Sequence, residues 1–325
     1  MFWIAGGKLA DPKPRPGALR IEGARITGKA AFAPPGATIK DAAGLIVVPA
    51  FIDAHVHLAV AGDPHVVARE QVRRGVVAVL DLGAPERLLP MRHAPLRVRF
   101  SGPLLTAPGG YPTASWGRNG EGLEIETPEQ ARAAVRRLAK AEARFVKLAL
   151  DARFPLLDPA VAAAATAEAR AQGMLVAAHA LDEDAVRRAL AADADVLAHT
   201  PRDPLPGDLV ARLRGKWVIS TLRAFAVAPE RLRALRDAGV RIAYGTDLGN
   251  EGTKPGIDAG ELELLEAAGM DPLAAATSEA AALLGLRDVG RLAVGASASV
   301  LAVRSLRPED LARPEWVMID GRMAV

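Results

Sequence analysis

From Ile46 to about Leu286, short runs of apolar residues alternate with stretches in which apolar positions recur every three or four residues. Apolar runs of that length read as strands buried on both faces of a parallel sheet, and the amphipathic stretches read as the helices that cover it. The expected strands are Phe51–His55, Val76–Asp81, Leu96–Ser101, Phe145–Leu150, Leu175–His179, Val196–His199, Trp217–Ser220 and Ile242–Asp247. The expected helices include Pro128–Ala143, Pro159–Gln172, Glu183–Ala192, Pro229–Ala238 and Ala259–Ala268. Thr127-Pro128, Asp158-Pro159 and Asp271-Pro272 each place a capping side chain before a proline at the first turn. Gly173 and Gly239 stand where helices would end. Eight strands with helices between them predict an α/β fold, a (β/α)8 barrel in preference to a doubly wound sheet.

Both ends of the chain read differently. Residues 1–45 and 289–325 are broken by Pro and Gly into strand-like pieces: Phe2–Ala5, Ala18–Ile21, Ala24–Ile26, Ala298–Val303, Trp316–Ile319 and Arg322–Val325. The two ends are expected to pair into a small β-sandwich lobe beside a barrel spanning residues 46–288. The stretch Gly102–Glu126, rich in Gly and Pro, reads as a long loop following the third strand. A loop of that length in a compact domain is usually functional, and this one would overhang the C-terminal ends of the strands.

Composition narrows the chemistry. No apolar run approaches the roughly 18 residues that span a bilayer, and the first residues lack a basic segment followed by a long apolar one, so a cytoplasmic protein is expected. With no cysteine, disulfides, thiolate ligands and thiolate nucleophiles are excluded, and any metal site must use His, Asp, Glu or a modified Lys. The net charge is only +3, and the arginines sit beside acidic residues along helices, as in Glu129–Arg137. That pattern is a solvated helix face, so nucleic-acid binding is not expected.

The candidate chemistry lies at the expected strand ends. His55-Val56-His57 closes the first strand, and alternate residues of a strand share a face, so both imidazoles project into one space. Lys147 lies within the fourth strand, while His179, His199 and Asp247 end the fifth, sixth and eighth. Each has a plain structural reading: a hydrogen-bonded histidine, a turn-capping aspartate, a snorkelling lysine. Four of the six histidines sharing this position with an aspartate is hard to reconcile with all of those readings together. At a barrel mouth such residues converge.

The chain resembles the amidohydrolase superfamily in Pro49-Ala-Phe-Ile-Asp-Ala-His-Val-His57, Val146-Lys147, Ala178-His179-Ala, Ala198-His199-Thr and Gly245-Thr-Asp247. The tail from Gly290 to Val303 is similar to the family's returning β-lobe segment, although Ser299 stands where an acidic residue is common. Pro108-Gly-Gly-Tyr111 and Ser220-Thr221-Leu222 are similar to the imidazolonepropionase- and prolidase-like subgroup.

The resemblance implies metal-dependent hydrolysis of a C–N amide (a dipeptide, an N-acyl amino acid or a cyclic amide) or a related ester or lactone. His55, His57 and Asp247 would bind one divalent ion and His179 and His199 a second, with Lys147, carboxylated by CO2, bridging the two. The ions would be Zn, with Mn, Fe or Co as alternatives. A water made acidic by the ions would attack, and Asp247 would take its proton and pass it to the leaving group. In the single-metal alternative, imidazolonepropionase-like or deaminase-like, His199 orients water or substrate. Asp182 is then a possible proton shuttle, although it also reads as a helix cap. A non-catalytic barrel that only binds partners is a third reading. Tyr111, Trp116 and Arg223 are the candidate substrate contacts, with Thr200 and Asn250 as supports for the ligands. A small-molecule substrate is the expected partner, and a homo-oligomer is left open.

Overall fold

The computed structural model describes residues 1–10 and 13–324. Its centre is a set of parallel strands in chain order. Phe51–Val56, Val76–Asp81 and Arg97–Phe100 form one sheet. Leu104–Thr106, Phe145–Ala149, Leu175–His179, Val196–Leu197, Trp217–Ile219 and Arg241–Ala243 continue in a second, with Gly122–Glu124 at its edge. Individual hydrogen bonds, not continuous ladders, bridge the two seams between the sheets. Arg144 N–H donates to Phe100 O at 3.1 Å on one side. On the other, Ala54 N–H donates to Tyr244 O at 2.9 Å, Asp247 N–H to His55 O at 2.9 Å and His57 N–H to Leu248 O at 2.7 Å.

The helices form where their caps and apolar stripes dictate. Thr127 closes a capping box on Pro128–Lys140, and Asp158, Asp182, Asp258 and Asp271 each accept backbone N–H groups at the starts of their helices. Pro159–Ala171, Glu183–Ala191, Pro229–Asp237 and Ala259–Ala267 lie where the periodicity places them. Gly173 and Gly239 adopt φ of 67° and 84°, left-handed conformations that follow the helix ends. Pro64–Arg73, Gly207–Leu213 and a helical run from Pro272 to Leu283 add to these coverings.

Three sequence expectations need correction. The Gly102–Glu126 stretch is not a plain loop: Leu104–Thr106 pairs with the Lys147 strand, and Gly122–Glu124 pairs with it in turn. The flanking Gly102, Pro103 and Pro108 masked a run of only three buried residues. The sixth and eighth strands end before their functional residues, so His199 and Asp247 stand on the connections that follow. Finally, Ile46–Pro49 does not belong with the parallel strands, because it pairs antiparallel with Val300–Val303 and parallel with Lys8–Ala10.

The terminal strands build two sheets, in the orders Arg25–Ala30, Ala18–Glu22, Phe2–Ala5, Ile39–Asp41 and Arg322–Met323, Trp316–Ile319, Val300–Val303, Ile46–Pro49, Lys8–Ala10, Pro14–Pro16. The last expected strand reached Val325, which lies outside the described residues. Strand alternation gives the larger sheet two apolar faces. Val47, Val300 and Ala302 pack with Ile4, Leu19 and Ile21 of the smaller sheet. Their neighbours Val48, Leu301 and Val303 join the main core instead. Among the described residues no helix is long and apolar enough to cross a membrane.

Candidate metal centre

The first strand carries Asp53 and His55, His57 follows its last residue, and all three are buried. His55 Nε2, His57 Nε2 and Asp247 Oδ1 form a nearly equilateral triangle with edges of 3.3, 3.2 and 3.3 Å. Donors about 2.0–2.2 Å from one ion in near-tetrahedral arrangement are separated by about this distance. Asp247 Oδ1 is buried without a hydrogen-bond donor, so its lone pairs are unspent. Its other oxygen accepts from Asn250 Nδ2 at 3.2 Å. These three side chains are a group able to hold a metal ion.

A second pair faces them. His179 Nδ1 and His199 Nε2 are 3.0 Å apart, and His179 Nε2 is buried without a partner. His199 Nδ1 lies 3.1 Å from Thr221 Oγ1, and His55 Nδ1 lies 2.9 Å from Ala198 O. Those outer contacts fix the ring orientations, as metal-ligating histidines require. Lys147, only 1 % exposed, occupies the middle strand between Leu104 and Ala177 and lines the same cavity.

Electrostatics keep the imidazoles neutral. Burial first, then the Lys147 charge, pushes His55 well below its usual value and His179 down to about 3. Burial, followed by the charges of His55 and His179, does the same to His199. The His55–Asp247 contact is therefore no ordinary ion pair. Burial, opposed by the Asp247 charge, lowers Lys147 to about 7, so a large share of it is a free amine at neutral pH. Burial opposes ionisation of Asp247, but the His55, His57 and His199 rings hold it well below the usual carboxylate range. The donors present (neutral imidazoles, an ionised carboxylate and a nucleophilic lysine) fit divalent metal ions.

The matching family model is the amidohydrolase family, over residues 46–324. The chain belongs to the amidohydrolase family. Its fold is similar to that of a prolidase complexed with N-methylphosphonate-L-proline, at TM-score 0.83 and 21% identity, covering 99% of this chain and 98% of that one. A provisionally assigned prolidase from Bifidobacterium longum gives TM-score 0.82 and 25% identity over 99% and 94% of the two chains. Phenylurea hydrolase B gives 0.80 and 19% over 99% and 96%. No curated protein matches. Together the family and these neighbours make the parallel strands those of a TIM-barrel fold.

In this amidohydrolase the six candidate ligands line one cavity of about 320 Å³, together with Val60, Leu104, Tyr111, Trp116, Phe225, Gly249, Asn250 and Glu251. Trp116 Nε1 donates to Tyr111 Oη at 2.9 Å. Trp116 stands edge-on to His57 with centroids 5.1 Å apart, and Tyr111 lies 4.5 Å from His179. Arg223 is placed elsewhere: it does not line the cavity, and its guanidinium is paired with Asp258. The Thr200 hydroxyl donates to the Ser220 carbonyl at 2.8 Å. Asp182 caps Glu183–Ala191 by accepting from Ala185 N–H at 2.8 Å.

Sequence reasoning missed Phe225, whose ring packs 4.5 Å from that of His199. It also missed the buried acids behind the site. Asp81 accepts from Leu58 and Gly83 N–H, fixing the residue that follows His57 and the Gly83 backbone packed against the His57 ring. Glu261 accepts from Leu222 and Arg223 N–H at 3.0 and 2.8 Å. That holds Thr221 at φ 41°, strained for a β-branched residue, beneath His199. The only available signal was an acidic residue inside an apolar run, as in Phe-Ile-Asp53 and Val-Leu-Asp81.

Proposed function

We propose that this amidohydrolase is a metal-dependent hydrolase of C–N amide bonds with a two-ion centre. His55, His57 and Asp247 would hold one divalent ion, His179 and His199 the other, and carboxylated Lys147 would join them. The observation that carries this reading is the convergence of four histidines, three of them (His55, His179 and His199) kept neutral by burial, with a partly deprotonated buried lysine and an ionised aspartate in one cavity. Zinc suits the donor set, with Mn, Fe or Co as alternatives. When bound, the ions supply Lewis acidity toward the carbonyl and lower the pKa of water.

The remaining work belongs to the side chains. Asp247 is ionised and anchored by Asn250, so its carboxylate receives the proton of the attacking water. It returns that proton to the amide nitrogen as the C–N bond breaks. In the single-ion reading, His199, held by Thr221, would instead orient the carbonyl side of the substrate. Tyr111, Trp116, Leu104 and Phe225 wall the cavity and exclude water. With Lys147 carboxylated, the lining residues offer no lysine or arginine cation, so the wall favours an uncharged, apolar amide over a dipeptide carboxylate. A phenylurea, the substrate class named for one structural neighbour, has that character. A single-ion enzyme is the second reading, favoured by the completeness of the His55–His57–Asp247 group by itself.

Elemental analysis of the purified chain, combined with carbon-13 detection of a carbamate after growth with labelled bicarbonate, tests the proposal. Two ions per chain and a carbamate signal are expected. One ion and a bare lysine would replace it with the single-ion reading, and no bound metal would leave a non-catalytic barrel.

A further inference from the structure

The two histidines that the cavity does not use are also paired. His65 is the second residue of the helix Pro64–Arg73, and Asp63 fixes that helix start by accepting from His65 and Val66 N–H at 2.8 and 3.2 Å. His93 is held in a turn in which Leu96 N–H donates to its carbonyl at 3.0 Å. The two Nδ1 atoms face each other at 3.2 Å, with the rings at 79°. That separation falls between the 3.0 Å of His179 and His199 and the 3.3 Å of His55 and His57. It is also the spacing of two imidazole nitrogens about 2.0–2.1 Å from a single ion.

The surroundings suit a cation. Burial, and then the neighbouring His65 charge, lower the His93 pKa, which leaves its lone pair free at neutral pH. The Asp63 carboxylate acts on both rings with a charge favourable to a cation. A cavity of about 290 Å³ adjoins the pair, with room for water at further coordination positions. Its two arginines are already engaged, Arg92 with Glu142 at 2.6 Å and Arg87 with the Asn119 carbonyl.

We propose that His65 and His93 form a surface metal site that takes a borderline divalent ion (Zn2+, Ni2+ or Cu2+) through both Nδ1 atoms. The site is independent of the hydrolytic reading and adds one ion to whatever the cavity holds. Two imidazoles without a carboxylate ligand favour these ions over Mg2+ or Ca2+.

The test is equilibrium dialysis of the purified full-length chain, first saturated with Zn2+ and freed of loosely bound metal, against Cu2+. The wild type is expected to take up one more ion per chain than His65→Ala/His93→Ala. His93→Gln alone is expected to bind that ion at least about tenfold more weakly, with amide hydrolysis unchanged in both variants. Equal uptake by wild type and double variant overturns the proposal. A second measurement does not depend on the variants. Substoichiometric Cu2+ should broaden the ring resonances of two histidines in the Zn-saturated wild type, and their persistence overturns the site in favour of a plain N–H···N hydrogen bond.

Discussion

Thr246 grips Asp53 with both of its donors, the backbone N–H at 3.0 Å and the hydroxyl at 2.6 Å. Asp53 also accepts from His55 N–H at 3.0 Å, so one buried carboxylate ties the first-strand histidines to the turn that presents Asp247. It lies two residues before His55, and Thr246 one before Asp247. The tie works beside the backbone bonds from Asp247 N–H to His55 O and from His57 N–H to Leu248 O in holding the three ligand atoms together.

Removing the tie tests that claim. Asp53→Ala leaves the Thr246 hydroxyl and two buried N–H groups without an acceptor, at a cost of about 1–3 kcal/mol. Thermal unfolding of the metal-free chain should shift down accordingly, and metal retained after dialysis should fall. Unchanged metal content would show that the histidines hold their places without it.

Lys147 is expected to behave as a ligand and not as a structural residue. Under the two-ion proposal, Lys147→Ala should lower kcat/KM by about 10³-fold or more, because the anion that would join the two ions is lost. A small carboxylic acid in the assay should restore part of the activity by entering the space vacated. Full activity without such rescue would remove Lys147 from the centre.

The aromatic wall and Arg223 make opposite predictions. Trp116→Ala opens the cavity beside His57 and removes the donor to Tyr111, so KM for an apolar amide should rise about tenfold or more. Arg223→Ala removes only a guanidinium paired with Asp258 outside the cavity, so KM should change by less than about threefold. Steady-state kinetics on both variants with one uncharged amide separates them, and a large Arg223 effect would restore it as a substrate contact.

The candidate ligands that converge in the cavity were legible because strand alternation and strand ends are visible in one dimension. His55 and His57 share a face by spacing alone, and each remaining ligand follows an apolar run. Legibility failed where a residue acts through backbone groups distant in sequence. Glu261 serves Leu222 and Arg223 N–H from a helix some forty residues on, and nothing near Glu261 announces that role. The three-residue strand Leu104–Thr106 was hidden by its Gly and Pro neighbours, since its pairing with Lys147 is a tertiary fact. Arg223 misled because proximity to a strand end does not fix the direction of a side chain.

Glu261 gives the pH prediction. Burial raises its carboxyl to about 7 from 4.5, against the lowering effect of the Arg223 N–H, the Ser220 hydroxyl and the Leu222 N–H. A group whose folded pKa is raised binds its proton more tightly when folded. Its contribution to stability is therefore complete below about pH 4.5 and is lost as pH rises to about 7. The full difference is roughly 3 kcal/mol at most. Glu261→Gln keeps one acceptor oxygen but cannot ionise, so it removes this slope. The unfolding free energy of wild type relative to Glu261→Gln should thus fall steadily between pH 4.5 and 7 and level off above. Urea titrations of the metal-free proteins at several pH values measure that difference, in which the shared effects of the buried histidines cancel. A difference independent of pH would mean that Glu261 carries its charge in the folded chain, and that its contacts to Leu222 and Arg223 fully compensate burial.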